Sequence, residues 1–198
     1  MKKRIAVLVS GGGTNLQALL EADEAGKIPH GEIAMVVSNT PNAYALERAR
    51  NFGVPAACIN KKELGSQAAF EAELQAVLER NGTDLIILAG FMCILSENFT
   101  SKWPKRIINV HPSLIPSFCG AGFYGLRVHQ AALDYGVTVT GATVHFVNEI
   151  PDGGEIIAQK DVYIEEGDTP EILQRRVMEQ PEWLLLPEAA EKVCASLI

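Results

Sequence analysis

The chain has 198 residues, is 47% hydrophobic and 21% charged, and carries a formal net charge of −7. That is enough chain to bury a sizeable core in one large domain or two small ones, and its acidic balance argues against nucleic acid or an anionic membrane surface as the main partner. No apolar run approaches the roughly 18–20 residues that would cross a membrane, and the four scattered cysteines (Cys58, Cys93, Cys119, Cys194) form no C-x-x-C pair, so reduced thiols in the cytoplasm are expected and a metal site is not.

Residues 4–10 (R-I-A-V-L-V-S) are a continuous apolar run, the pattern of a strand covered on both faces. With the basic residues before it this run faintly imitates a signal peptide, but it is short and passes into Gly11-Gly12-Gly13 rather than a cleavage site. A helix starting at Thr14 or Asn15 carries Leu16, Leu19 and Leu20 at helical spacing and stops near Gly26. A second strand is expected over 33–38, then a helix opened by Pro41 and closed by Gly53-Val54-Pro55, and a third strand over 56–59. A helix over 67–80 ends at Asn81-Gly82. The most hydrophobic strand of the chain follows at 84–89 (D-L-I-I-L-A). Strand and helix alternate, which predicts a parallel sheet with right-handed crossovers. The second half reads differently. A short buried strand ends at 107–110, a loop dense in glycine and aromatics occupies 118–125, and a helix covers 125–135. Residues 137–147 alternate as a half-exposed strand should, Gly153-Gly154 turns the chain into 155–162 as an antiparallel partner, and Thr169-Pro170-Glu171 opens a long terminal helix. The fold class is α/β: one domain over 1–198 with a mixed sheet, its 1–100 half differing in character from its 101–198 half.

Three stretches carry chemistry. In I-I-N-V-H-P-S-L-I-P (107–116), Asn109 and His111 are two apart and project to the same side of an extended chain. Pro112 excludes a helical conformation for His111, so an amide and an imidazole stand at a strand's carboxyl end, where open α/β sheets place ligand crevices. In S-G-G-G-T-N-L (10–16), glycines turn the chain tightly into a helix whose amino end attracts anions. The Lys-Ser/Thr pair of a P-loop is absent, and Leu16 stands where a dinucleotide fingerprint needs a third glycine, so a monophosphate is the ligand expected; a bare tight turn is the alternative. In I-P-D-G-G (150–154), Asp152 sits in a turn. If that turn borders the His111 crevice, the carboxylate favours imidazolium at His111. His111 and Asn109 then stabilise an oxyanion while Asp152 carries a proton away. Cys119 has no recognisable base beside it. His129 and His145 are read as structural, His30 as part of a surface turn, and Arg175-Arg176 as a solvated helical face.

S-G-G-G-T-N-L-Q-A, L-A-G-F-M, I-N-V-H-P-S-L-I-P, T-G-A-T-V-H-F-V and P-D-G-G, in that order and spacing, resemble the glycinamide ribonucleotide formyltransferases of purine synthesis across nearly the whole chain. The resemblance implies a Rossmann-like formyltransferase fold with helices on both faces of a mostly parallel sheet. It also implies formyl transfer from 10-formyltetrahydrofolate to the amino group of glycinamide ribonucleotide, without a metal, by a cytoplasmic monomer or homodimer. By motif match Asn109, His111 and Asp152 are the catalytic trio, and Gly12, Gly13, Thr14 and Asn15 hold the ribonucleotide phosphate. Met92, Cys93, Ile94 and Leu95, with Val147, Asn148 and Ile150 before Asp152, line the folate pocket of the catalytic half. Glu182 matches a glutamate that contacts the ribonucleotide once a one-residue shift is allowed. Two departures stand out: Cys93 replaces an arginine found in many relatives, and the loop after Pro116 is longer and more aromatic than the usual form.

Three rivals share parts of this pattern. A formyltetrahydrofolate deformylase uses the same trio with water, but carries an extra amino-terminal domain, whereas here the catalytic sheet is expected to begin at Ile5. A methionyl-tRNA formyltransferase appends a tRNA-binding domain, for which this chain ends too soon and is too acidic. A nucleotide-binding module without catalysis needs only the Gly11 turn and does not require His111 and Asp152 to meet.

Overall fold

Ile5, Val7 and Val9 leave one face of the first strand, β1 (Lys3–Val9), and Ala6 and Leu8 leave the other; all five are fully buried. The computed structural model, which describes residues 1–197, places β1 inside a seven-stranded sheet of order β3-β2-β1-β4-β5-β6-β7. The other strands are β2 (Gly31–Ser38), β3 (Ala56–Cys58), β4 (Leu85–Leu88), β5 (Ile107–His111), β6 (Val139–Phe146) and β7 (Ile156–Tyr163). The strands from β3 to β5 pair in parallel, while β6 and β7 join antiparallel.

Helices cover both faces, as the continuous apolar strands require. Helices α1 (Thr14–Glu24) and α2 (Tyr44–Asn51) pack on the Ile5–Val7–Val9 side. On the Ala6–Leu8 side lie the long α4 (Gln67–Arg80), with the small α3 (Lys61–Leu64) against it, and the one-turn α5 (Glu97–Thr100); α4 buries Phe70, Leu74 and Leu78 there. Each such side chain stabilises the fold by roughly 1.5–3 kcal/mol. Helix α6 (Leu126–Tyr135) leads into β6, and α7 (Pro170–Val177) and α8 (Trp183–Ser196) return to the α1 side. Because β2 and β4 lie on opposite sides of β1, the winding reverses there, and the carboxyl ends of β1, β4 and β5 open one crevice.

Several elements differ from the sequence reading. Pro41 does not open a helix. It follows Thr40 in a turn closed by the Ala43 N–H donating to the Thr40 carbonyl at 3.3 Å, and α2 begins at Tyr44. Helix α3 was not expected; the Asn60 side chain caps it by accepting from the Lys62 N–H, and Gly65 ends it at φ 74°. The long terminal helix is present but not α-helical throughout: α7 runs into α8 through a π turn, Met178–Glu182, which contains Pro181, a residue with no N–H to continue the α-helical ladder. Arg176 is not a solvated side chain. It donates to Asp168, to the Tyr163 carbonyl at 3.1 Å and to Glu165 at 3.2 Å, fastening the β7–α7 connection. His30 does lie in an exposed turn, as expected, and pairs there with Glu191 of α8 at 2.5 Å.

Candidate functional site

Asn109 and His111 end β5 on one side of the sheet, opposite His145 and Thr143 of β6. His111 is buried, and its Nε2 lies 2.9 Å from the Phe118 carbonyl. A carbonyl only accepts, so Nε2 carries a hydrogen and Nδ1 is the nitrogen presented to Asp152, whose Oδ2 is 3.4 Å away. Asp152 adopts φ 55°, a left-handed conformation that Asp and Asn tolerate better than most side chains, and this turns its carboxylate inward. Its Oδ2 accepts the Gly120 N–H at 2.9 Å, and its Oδ1 lies 3.5 Å from His145 Nε2. The structure thus brings Asn109, His111 and Asp152 together.

It adds a residue that the strand pattern assigned to structure alone. His145 Nδ1 donates to the Phe146 carbonyl at 2.8 Å, which leaves Nε2 free, 3.3 Å from Asn109 Nδ2. In the neutral ring Nε2 accepts one amide hydrogen of Asn109 and leaves the other for the crevice. In the sequence, the alternation of 137–147 puts His145 on one face of a strand without saying what lies opposite, and the T-G-A-T-V-H-F-V motif gives it no role.

Burial is the largest influence on His111 and pulls its pKa below the ordinary value, although the Asp152 carboxylate and the Phe118 carbonyl both favour the cation. The carboxylate partner is in place and favours the cation as expected, but desolvation outweighs it in the folded protein. For Asp152 burial pushes upward but is outweighed by His145, by His111 and by the Gly120 N–H, so the carboxyl sits below its ordinary value. His129 is buried behind this cluster with Nδ1 unpartnered among the described residues, and burial, helped by His111, pushes it down to about 4. It stays neutral at working pH, as a structural histidine does.

A cavity of about 660 Å³ opens over the trio, within the usual range for a small-molecule site. Met92, Cys93 and Ile94 form one wall, the 120–125 loop another, and Asn15, Gln174 and Glu182 the far end. Of the other residues expected at the folate pocket, Leu95, buried on the α4 side, borders an adjoining cavity together with Met92, Cys93 and Ile94. The Val147 N–H donates to the Ile107 carbonyl, so its backbone continues the sheet, and Asn148 turns back to accept from the Ile150 N–H. Both line a smaller cavity beside Lys105, while Ile150 is exposed. Cys93 is buried, which raises its thiol pKa, and Lys61 brings an ammonium within 3.7 Å of its sulfur. Among the described residues no group of three or more His, Cys, Asp or Glu is placed to hold a metal ion.

The glycine turn is built from unequal parts. Gly13 has φ 72°, and a Cβ there would meet Ala45 Cβ at 2.6 Å, so a side chain at this position strains the turn itself. Nothing lies within 4 Å of a Cβ at Gly12, which makes Gly12 the position that separates binding from folding. Thr14 donates to the Met178 sulfur and Asn15 Nδ2 to Glu182 Oε2 at 2.7 Å. Glu182 is the last residue of the π turn, and its carboxyl borders the cavity.

Glu182 is nearly fully buried, and burial raises its pKa to about 7 against the pull of Asn15. The folded protein therefore keeps a proton that the unfolded chain releases from about pH 4.5 upward. The stability gained is whole below the unfolded pKa and is lost as pH rises through the folded one, a difference on the order of 3 kcal/mol. Glu182→Gln, uncharged and nearly isosteric, is expected to lose less thermal stability than the parent between about pH 5 and pH 8. Thermal melts along a pH series check this; parallel curves for the two proteins would refute it.

A profile of the family described as formyl transferase matches residues 3–189. The trifunctional purine biosynthetic protein adenosine-3 of Bos taurus is 43% identical over 198 residues, covering 100% of this chain but 19% of that protein. The phosphoribosylglycinamide formyltransferase of Haemophilus influenzae is 40% identical over 185 residues, 93% of this chain and 84% of that one. The crystal structure of glycinamide ribonucleotide transformylase 1 from Symbiobacterium toebii superposes with a TM-score of 0.92 at 42% identity, covering 98% of this chain and 89% of that one. Matched from the first strand into the last helix, the chain belongs to the formyl transferase family.

Proposed function

We propose that the chain transfers a formyl group from 10-formyltetrahydrofolate to the amino group of glycinamide ribonucleotide, a cytoplasmic step of purine biosynthesis. The observation that carries this reading is that Asn15, which ends the glycine turn, and Glu182 share one cavity with Asn109, His111 and Asp152. A hydrolase attacking with water has no use for a second substrate site there. The names of the Haemophilus and Symbiobacterium relatives support the same choice of acceptor.

In the mechanism, N–H groups from Gly12 to Asn15 bind the ribonucleotide phosphate, and the wall of Met92 and Ile94 receives the folate. The formyl donor supplies an activated carbonyl. Asn109 Nδ2 and His111 Nδ1 face its oxygen as the amine attacks. The buried ring starts neutral with its hydrogen on Nε2, so Nδ1 gains a proton before it donates. Asp152 takes the proton from the attacking amine and passes it to Nδ1, and the imidazolium, supported by the carboxylate, donates to the oxyanion; such donors are worth about 3–4 kcal/mol each. That proton then leaves the ring for the folate nitrogen as the bond from that nitrogen to the formyl carbon breaks, so protons balance.

The test is formyl transfer measured with the ribonucleotide present and with water alone. Transfer is expected to exceed formate release by at least about 100-fold. Gly12→Val should fold normally and raise the ribonucleotide KM by about tenfold or more, the weight of one charge-assisted hydrogen bond. Equal formate release with and without the ribonucleotide would replace this reading with a deformylase.

A further inference from the structure

The carbonyls of the glycine turn are all committed to neighbouring helices. Gly11 O accepts the Ala45 N–H at 3.1 Å and Gly13 O accepts the Gln17 N–H at 2.9 Å. Gly12 O accepts Arg48 Nε at 2.8 Å, and the same guanidinium donates through Nη1 to Gln17 Oε1 at 2.8 Å. Arg48 also lies over the Tyr44 ring, 5.0 Å from its centroid. One planar group therefore ties α2 to both the turn and α1. In a trans peptide the C=O of one residue and the N–H of the next point in opposite directions. Holding Gly11 O and Gly12 O toward α2 thus aims the Gly12 and Gly13 N–H groups the other way. Among the described residues no protein acceptor takes the N–H groups of Gly11 to Asn15.

We propose that Arg48 is a positioning residue for a phosphate monoester: by holding the Gly12 carbonyl it aims the Gly13 N–H at the phosphate oxygens. This rests on the phosphate assignment made under the proposed function. Flexible glycines do not hold a peptide plane by themselves, and around Gly12, with no side chain and open space about it, the plane is fixed by its hydrogen bonds. Lysine cannot replace the clamp, because one ammonium on a flexible stem does not reproduce two coplanar donors set at a fixed fork.

The experiment compares kcat/KM for glycinamide ribonucleotide with kcat/KM for the same acceptor lacking its 5′-phosphate, in the parent protein, Arg48→Met and Arg48→Lys. The parent is expected to favour the phosphorylated acceptor by roughly 100-fold or more, the weight of two charge-assisted hydrogen bonds. Both variants should lose at least about tenfold of that preference, through the ribonucleotide KM rather than kcat, with the folate KM and the melting curve close to the parent's. A merely structural arginine would lower both acceptors together and leave the ratio intact, which overturns the proposal. Restoration of the ratio by Arg48→Lys would also overturn it. A parent protein that takes both acceptors equally removes the phosphate site itself, whereas a parental preference that survives in Arg48→Met removes the role of Arg48 alone.

Discussion

Asp152→Asn is expected to keep the fold and most of the substrate binding while lowering kcat by about 100- to 10,000-fold, the usual range for losing a positioned proton acceptor. Asparagine tolerates the φ of 55° at this position and can still accept the Gly120 N–H, so the turn survives. What it removes is the negative charge beside His111 Nδ1, and with it both the proton acceptor and the support for a cation forming on the ring. His111→Ala removes the donor itself and is expected to cost about 1,000-fold in kcat. Because the carboxylate acts partly through the ring, the double variant should be little worse than the worse single one. Steady-state kinetics of the three proteins, with circular dichroism to establish folding, measure this. Fully multiplicative losses would mean that the two groups work independently, and the shared-proton mechanism would fall.

Deleting residues 121–124 is expected to be nearly as damaging, although none of the four contributes a reacting group. The loop supplies the Phe118 carbonyl that holds His111 Nε2 and the Gly120 N–H that holds Asp152. Phe118 sits at φ 50°, uncommon for a bulky residue, with its ring edge-on to Tyr135 at 6.0 Å, and Tyr124 lies under Arg127 at 4.9 Å. Shortening the span pulls these anchors out of place. A fall of about 100-fold in kcat/KM follows from misplacing groups by about 1 Å. Cys93→Ala should change the folate KM by less than about threefold, because the thiol is buried and Lys61 supplies the nearby cation. A folded deletion variant with normal kcat and normal KM for both substrates would show that the loop has no part in the site.

The alternation of strands and helices, the glycine turn after β1 and the pairing of Asn109 with His111 were all legible as local patterns. A period of two or 3.6 residues is written into neighbouring positions, and a proline restricts the residue beside it. The expected mixed sheet with a divergent second half matches the observed order, down to antiparallel β6 and β7. Local reading failed where the deciding partner was local but ambiguous, as at Pro41, which starts a turn here and a helix elsewhere.

By itself, then, the sequence determined the α/β class and the place of Asn109 and His111 at the carboxyl end of a strand, because these follow from short-range periodicity and turn chemistry. The tertiary structure alone decided the rest. His145 reaches Asn109 only because the β5–β6 register sets those two residues opposite each other, 36 positions apart in the chain. The His111 pKa is lowered because burial sums over every element packed around it, and no motif records that sum. Glu182 borders the cavity at the end of a π turn, and Val147 and Asn148 miss the cavity because the sheet ladder carries them past it. Register, desolvation and helix phase are properties of packed neighbours distant in sequence, so they exist only once the chain has folded.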